Sequence, residues 1–353
     1  MNANQTTLRL HKGLVLPLVV VMILATSCAS TRQPSASPTP SGFDGTASQP
    51  TLTSRVSQST TPARPTEVAP VHPGTLAFVS VSLGVTDDIY VIQTDGTGLK
   101  QLTETHASAE DPSWSPDGSK IAYDTYPEGP DEANQQYNVW VMNADGSEKK
   151  QLTHGPLGGT FPSWSPHGTR FAYTNWSYPP AERGPAQIYV MGADGSNPRR
   201  VTNGPANDIV PQWAPDGRIF FLRKERGWDS FWGDVFAVNP DGTGLVRLTT
   251  MEHVGGFAPS PDGTKIAIHD MGQHRILVLP VSASGTPITL LDWDFGYTFV
   301  QMAWSPDGEA LALARLAAVS KQGFELHIVN ADGSGLTTVP NAEAVMSVAW
   351  RPR

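Results

Sequence analysis

The chain has 353 residues, 33 acidic against 24 basic side chains for a net charge of −9, and a single cysteine among them. An acidic chain without a basic stripe excludes nucleic acid as an expected ligand. One thiol excludes an intrachain disulfide and a thiolate metal site.

Arg9 and Lys12 precede an apolar run, Leu14 to Ala25, which leads into Ala25-Thr26-Ser27-Cys28. A basic start, a short apolar stretch and small residues before a cleavage point predict a signal peptide over residues 1–27. At 1.5 Å per residue the run reaches roughly 18 Å, too short for a bilayer core of about 30 Å. Pro17 inside the run also argues against a permanent span. Cys28 falls where the small-residue motif is cut. The segment resembles a bacterial lipoprotein signal, which implies that Cys28 carries lipid as the mature N-terminus. Residues 28–73 then form a tether, rich in Ser, Thr, Pro, Ala and Gln and too poor in large apolar side chains to bury a core.

From residue 74 onward one phrase recurs. Pro112-Ser-Trp-Ser-Pro-Asp-Gly118 returns at 162–168, 211–217, 257–263 and 302–308, and Val348-Ala-Trp-Arg-Pro352 closes the series. Anchored on the Trp position (Pro259 in the fourth copy), the spacings are 50, 49, 46, 45 and 46 residues. A period in the forties predicts propeller blades, four-stranded units that bury their faces only against neighbours. A second phrase confirms the period: Ile89-Tyr-Val-Ile leads to Asp95-Gly96 and Gln101-Leu-Thr103, and its relatives follow in each later unit. Pro presets φ in the first turn, and Gly takes the left-handed position in both. Nine Asp residues (95, 117, 145, 194, 216, 241, 262, 307 and 332) fall in these turns, so the acidity reads as turn chemistry.

Strands labelled A to D from the ring centre outward give the closure. The first B-C-D set, from Thr75, lacks an A strand before it, and the last A strand, Met346 to Trp350, lacks a set after it. The prediction is an all-β, six-bladed β-propeller of four-stranded antiparallel blades spanning 74–353, its first blade closed by the C-terminal strand.

The phrases Trp-Ser-Pro-Asp-Gly-x-x-Ile-Ala-Tyr and Ile-Tyr-Val-x-x-x-Asp-Gly resemble the TolB-type (WD40-like, PD40) propeller repeat across residues 74–353. The same repeat precedes the catalytic domain of prolyl-oligopeptidase-like peptidases. No Gly-x-Ser-x-Gly elbow occurs in this sequence, which argues against the peptidase reading. TolB also carries an α/β domain ahead of its propeller where this chain has the tether, so a Tol-system role is not implied.

Subtracting the repeat isolates the candidate site. Trp114, Trp164, Trp213, Trp304 and Trp350 hold the A-strand position and Trp140 a C-strand position, all read as blade-packing residues. Trp176, Trp228, Trp232 and Trp293 remain, in B-to-C or D-to-A connections that share one face with Tyr126, Tyr137, Tyr178 and Phe231. Arg183 and Arg226 interleave with them. Aromatic and Arg side chains on loops of a rigid scaffold point to partner recognition. The competing reading is that these aromatics pack on one another as loop cores. His106, His154 and His253 each follow a D strand and are weighed as a metal set at the channel mouth, although their offsets from the preceding Leu disagree.

The resulting expectation is an exported, lipid-anchored, non-catalytic propeller, at the cell membrane or outer membrane, that binds an envelope protein or glycan and needs no cofactor. The alternative is a propeller enzyme, a metal-dependent polysaccharide lyase or glycoside hydrolase, working at the channel mouth.

Overall fold

Among the described residues, twenty-four strands form six sheets of four, each sheet antiparallel throughout. The computed structural model describes residues 72–80, 87–104, 108–126, 137–155, 158–176, 184–224, 232–282, 286–292, 300–316 and 324–353. All lie within one compact unit, Val68–Arg353. The expected signal peptide, Cys28 and the expected tether as far as residue 71 lie outside the described residues.

Blade 1 contains β1 (Thr75–Ser80), β2 (Asp88–Gln93) and β3 (Lys100–Gln101). Blade 2 is β4 (Ser108–Trp114), β5 (Lys120–Tyr126), β6 (Asn138–Asn143) and β7 (Lys150–Gln151). Blade 3 follows with β8 (Gly159–Trp164), β9 (Arg170–Asn175), β10 (Gln187–Gly192) and β11 (Arg199–Arg200). Blade 4 is β12 (Asn207–Trp213), β13 (Ile219–Lys224), β14 (Asp234–Val238) and β15 (Val246–Arg247). Blade 5 holds β16 (Val254–Pro259), β17 (Lys265–Asp270), β18 (Arg275–Pro280) and β19 (Ile288–Asp292). Blade 6 has β20 (Val300–Trp304), β21 (Ala310–Leu316), β22 (Phe324–Asn330) and β23 (Thr337–Glu343), and the chain ends with β24 (Val345–Trp350).

The last strand closes the ring as the repeat count predicts. β24 pairs antiparallel with β1, placing Leu76 opposite Trp350 and Phe78 opposite Val348. The Arg351 amide continues the ladder to the Thr75 carbonyl at 2.9 Å. The Arg351 guanidinium then lies 5.1 Å from the Trp114 ring, tying the closing strand to blade 2.

The core sits between blades rather than within them. Ala122, Val139, Trp164, Phe171 and Tyr173 join blades 2 and 3 in one buried cluster. Leu76, Phe78, Trp350, Ala310 and Ala312 do the same for blades 1 and 6. Second strands such as β5 are buried on both faces, so they carry continuous apolar runs instead of alternation. The outermost strands of blades 1 to 4 shrink to two residues, which leaves little free edge for unwanted pairing.

The two recurring phrases each have a physical cause. In the Leu-Thr phrase, the Thr hydroxyls of 103, 153, 202 and 249 accept the backbone N–H groups of Ile89, Val139, Ile188 and Val235 at 2.8–3.0 Å. All nine turn Asp residues accept the N–H two residues on, as Asp117 does from Ser119 at 3.0 Å. These bonds hold the Asp117 carboxyl down at about 2, led by the Ser115 hydroxyl. The turn carboxylates stay ionised and are engaged by their own turns.

Trp350→Ala should destabilise the protein about as much as Trp114→Ala, each by about 3–5 kcal/mol. Deleting residues 346–353 should cost more still, because it unpairs β1. Chemical denaturation followed by Trp fluorescence measures both, and an unchanged midpoint in the truncated protein would refute closure by β24.

Candidate functional site: a loop face and an acidic channel wall

Alternating strand direction sends the B-to-C and D-to-A connections to one face and the Asp turns to the other. Four of the ten sequence-predicted binding residues are described, and all four are half-buried. Tyr126 and Tyr137 flank one connection with ring centroids 4.8 Å apart. Trp176 donates from Nε1 to the Thr160 hydroxyl at 3.0 Å and packs against the buried cluster around Ile209. Trp232 stacks on His253 at 6.0 Å. Tyr178, Arg183, Arg226, Trp228, Phe231 and Trp293 lie outside the described residues. For Trp176 the contacts are those of a loop core.

Nearby cations are committed to the scaffold. Arg223 grips the buried Asp208 with two bonds of 2.7 and 2.9 Å and lies over the Phe221 and Phe236 rings. Burial pushes the Lys224 amine down to about 8.

The inner strands surround a central channel of about 590 Å³, to which Trp114, Phe161, Gln212, Phe257, Gln301 and Val348 contribute from six blades. Bulges shape its wall. The ladders of β4, β8 and β12 slip by one residue, and the extra residues Asp111, Phe161 and Val210 take left-handed φ values of 49°, 54° and 54°. Such values strain non-glycine residues, so something must hold them. For Phe161 and Val210 a side chain from the preceding blade does. Asp124 accepts the Phe161 N–H at 3.0 Å, and Thr174, its counterpart one blade on, accepts the Val210 N–H at 3.1 Å.

Blade 2 is unusual at this point, because Glu110, Asp111 and Asp124 bring three carboxyl groups together. One oxygen of each lies within 4.8 Å of the others, a spacing that permits a shared cation. Asp124 is fully buried. Its Oδ2 and the Glu110 Oε1 are sealed from solvent without a hydrogen-bond partner. Asp111 is held from across the channel by the Gln301 carboxamide at 3.0 Å. Burial, then the charges of Asp111 and Asp87, push the Glu110 carboxyl up to about 8. Burial raises Asp111 to about 7 against the Gln301 bond, and burial followed by the Asp111 and Glu110 charges holds Asp124 well above the usual carboxylate range. Among the described residues no Lys, Arg or His supplies an opposing charge to any of the three. Two ionised oxygens at this distance repel by about 3 kcal/mol at an effective dielectric near 20, so the three are not ionised together without a cation.

Sequence reasoning had placed a possible metal among His106, His154 and His253. His106 lies outside the described residues. His154 and His253 are exposed, and His253 Nδ1 pairs with the Met251 carbonyl at 2.8 Å. Neither joins a group of metal-capable side chains among the described residues. Besides the blade 2 carboxyls, only His72, Asp307 and Glu309 form such a group there, and Asp307 is occupied by its turn and by Arg353.

The family model of the Tricorn protease N-terminal β-propeller domain matches residues 134–275. A comparison with curated proteins finds no match. Among solved structures, TolB from Acinetobacter baumannii is 21% identical over 79% of this chain and 67% of its own, with a TM-score of 0.63. The fold is that of a TolB-like propeller. A nidogen/laminin complex matches at 14% identity, 79% of this chain and 98% of that one, with a TM-score of 0.60. A puromycin hydrolase matches at 16% identity and a TM-score of 0.51, over 72% of this chain and only 42% of the hydrolase.

Two outcomes follow from these contacts. Trp176→Ala should destabilise the fold by about 3 kcal/mol, measured by thermal unfolding, because it removes a packed ring and its bond to Thr160. His269 occupies in blade 5 the place of Asp124, and burial pushes its imidazole down to about 4. The unfolded chain therefore takes a proton that the fold refuses between pH 6.5 and 4, and stability falls by up to about 3 kcal/mol as pH drops through that window. His269→Leu, with Leu222 as precedent at that position, should flatten this share of the acid sensitivity in urea titrations at stepped pH.

Proposed function

We propose that this chain is an exported, lipid-anchored propeller that performs no chemistry and binds an envelope protein or glycan through its B-to-C and D-to-A loop face. One observation carries the reading. The described loop aromatics Tyr126, Tyr137, Trp176 and Trp232 lie at the ends of strands that open on one face, while the Asp turns, which satisfy themselves, lie on the other. A rigid ring with adaptable loops on one side is a common base for recognition. The likeness to TolB and to a chain of a nidogen/laminin complex supports a binding role. Cys28 and the tether suit a protein held at a membrane with its ring free to reach a partner.

The carboxyl groups in the channel wall favour a second reading, an enzyme acting on an extracellular polysaccharide at the channel mouth. Polysaccharide turnover that is lost in Asp111→Asn would support it against the first.

Affinity capture from native envelopes tests the binding face. Replacing Trp228, Trp232 and Trp293 by Ala should cost about 2 kcal/mol or more each in partner affinity with little change in melting temperature. Changes at Lys100, Lys149 and Arg199, beside the Asp turns, should leave affinity alone. Equal losses from both faces would overturn the assignment. Cys28→Ser should release the protein from membranes, and a mutant that still pellets with them would refute the lipid anchor.

A further inference from the structure

We propose that Glu110, Asp111 and Asp124 form a binding site for a hard divalent cation, Ca²⁺, in the channel wall of blade 2. This is independent of the partner-binding reading.

The repeat supplies the internal control. The Glu110 position holds Thr160, Ile209, Gly255, Val300 and Met346 in the other five copies. The Asp111 position holds Phe161, Val210, Gly256, Gln301 and Ser347, and the Asp124 position holds Val79, Thr174, Leu222, His269 and Ala314. None of these fifteen residues is acidic. The fold therefore needs no carboxylate at any of the three positions, yet blade 2 has one at each.

Asp124 shows the point most clearly. Capping the bulge amide of the next blade takes one oxygen, and the Thr174 hydroxyl does the same work with no charge. The second oxygen of Asp124 is surplus to that role. It is fully buried without a hydrogen-bond partner, and lies within 4.8 Å of ligand oxygens from Glu110 and Asp111. A buried polar atom left unsatisfied is rare in a folded protein and points to an absent partner. The Glu110 Oε1 is in the same condition. A partner shared by three carboxyl oxygens is a cation rather than a donor to one of them.

The donor set selects its kind. Oxygen-only ligands suit hard cations, not copper or zinc, which favour imidazole and thiolate. Ca²⁺ sits about 2.3–2.6 Å from each oxygen, so two oxygens on one ion lie no more than about 5 Å apart. The cluster meets that limit. The left-handed backbone at Asp111 and its bond to Gln301 hold the carboxyl in the wall, where an ion arriving through the channel reaches it.

The purified chain, stripped with EGTA, should bind one Ca²⁺ by isothermal titration and melt several degrees higher in millimolar CaCl₂ than in EGTA. Terbium should give sensitised luminescence that Ca²⁺ displaces. Asp111→Asn, at a half-buried position that lines the channel, should weaken Ca²⁺ binding at least tenfold. The Glu110→Gln/Asp124→Asn double variant should lose binding while melting in EGTA close to the wild type, because neutral carboxamides of the same shape replace the carboxyls and one oxygen still caps the Phe161 amide. If that double variant fails to fold, the Asp111→Asn titration decides alone. Wild-type protein that binds no Ca²⁺, or variants that bind it as tightly as wild type, would overturn the site. Tighter binding of Mg²⁺ than of Ca²⁺ would overturn the choice of ion.

Discussion

Everything in this molecule depends on the pairing of β24 with β1. Each blade buries its faces only against two neighbours, so an open ring would leave the faces of blades 1 and 6 in water. The pairing also supplies blade 1 with its only channel-facing strand, and sets Trp350 beside Leu76 where the two terminal blades meet. Closure makes the ring cooperative: local damage at one interface is felt at all six. It also makes the ring a rigid base, so that loops can vary without the scaffold giving way.

That economy explains where charge sits. Nine Asp side chains are absorbed by turns, each accepting a nearby amide, and the chain's acidity says little about partners. Arg223, Arg247 and Arg275 are bound to Asp208, Asp234 and Asp270 of their own blades. Once these are set aside, the carboxyls of blade 2 stand out: beyond the Asp124 bond to the Phe161 amide, the other blades do without them. The proposed cation site in the channel wall and the proposed binding loops are thus separate places on one scaffold.

The fold was legible in the sequence to the level of strand pairing. Turn chemistry repeats with the blade, and the unmatched strands at either end could be counted. Trp114, Trp164, Trp304 and Trp350 are buried where the repeat places them. The site was less legible. Trp176 was selected as a binding residue because the repeat does not require it, but a side chain can be unique to one blade and still pack, as its bond to Thr160 shows. Glu110 and Asp124 belong to no local motif. They lie 14 residues apart on adjacent strands, and only the pairing of β4 with β5 and the bulge at Asp111 bring them together. A column-by-column comparison of the six copies would have marked all three, since the signal is an acid where the other copies have none.

Amide hydrogen exchange of the intact protein tests the closed ring most directly. The account predicts that amides in β24 and β1 exchange as slowly as those in β9 and β13, through global unfolding alone. Fast exchange confined to β24 and β1, with the other blades protected, would mean that the terminal strand frays independently and that the ring is not closed by it.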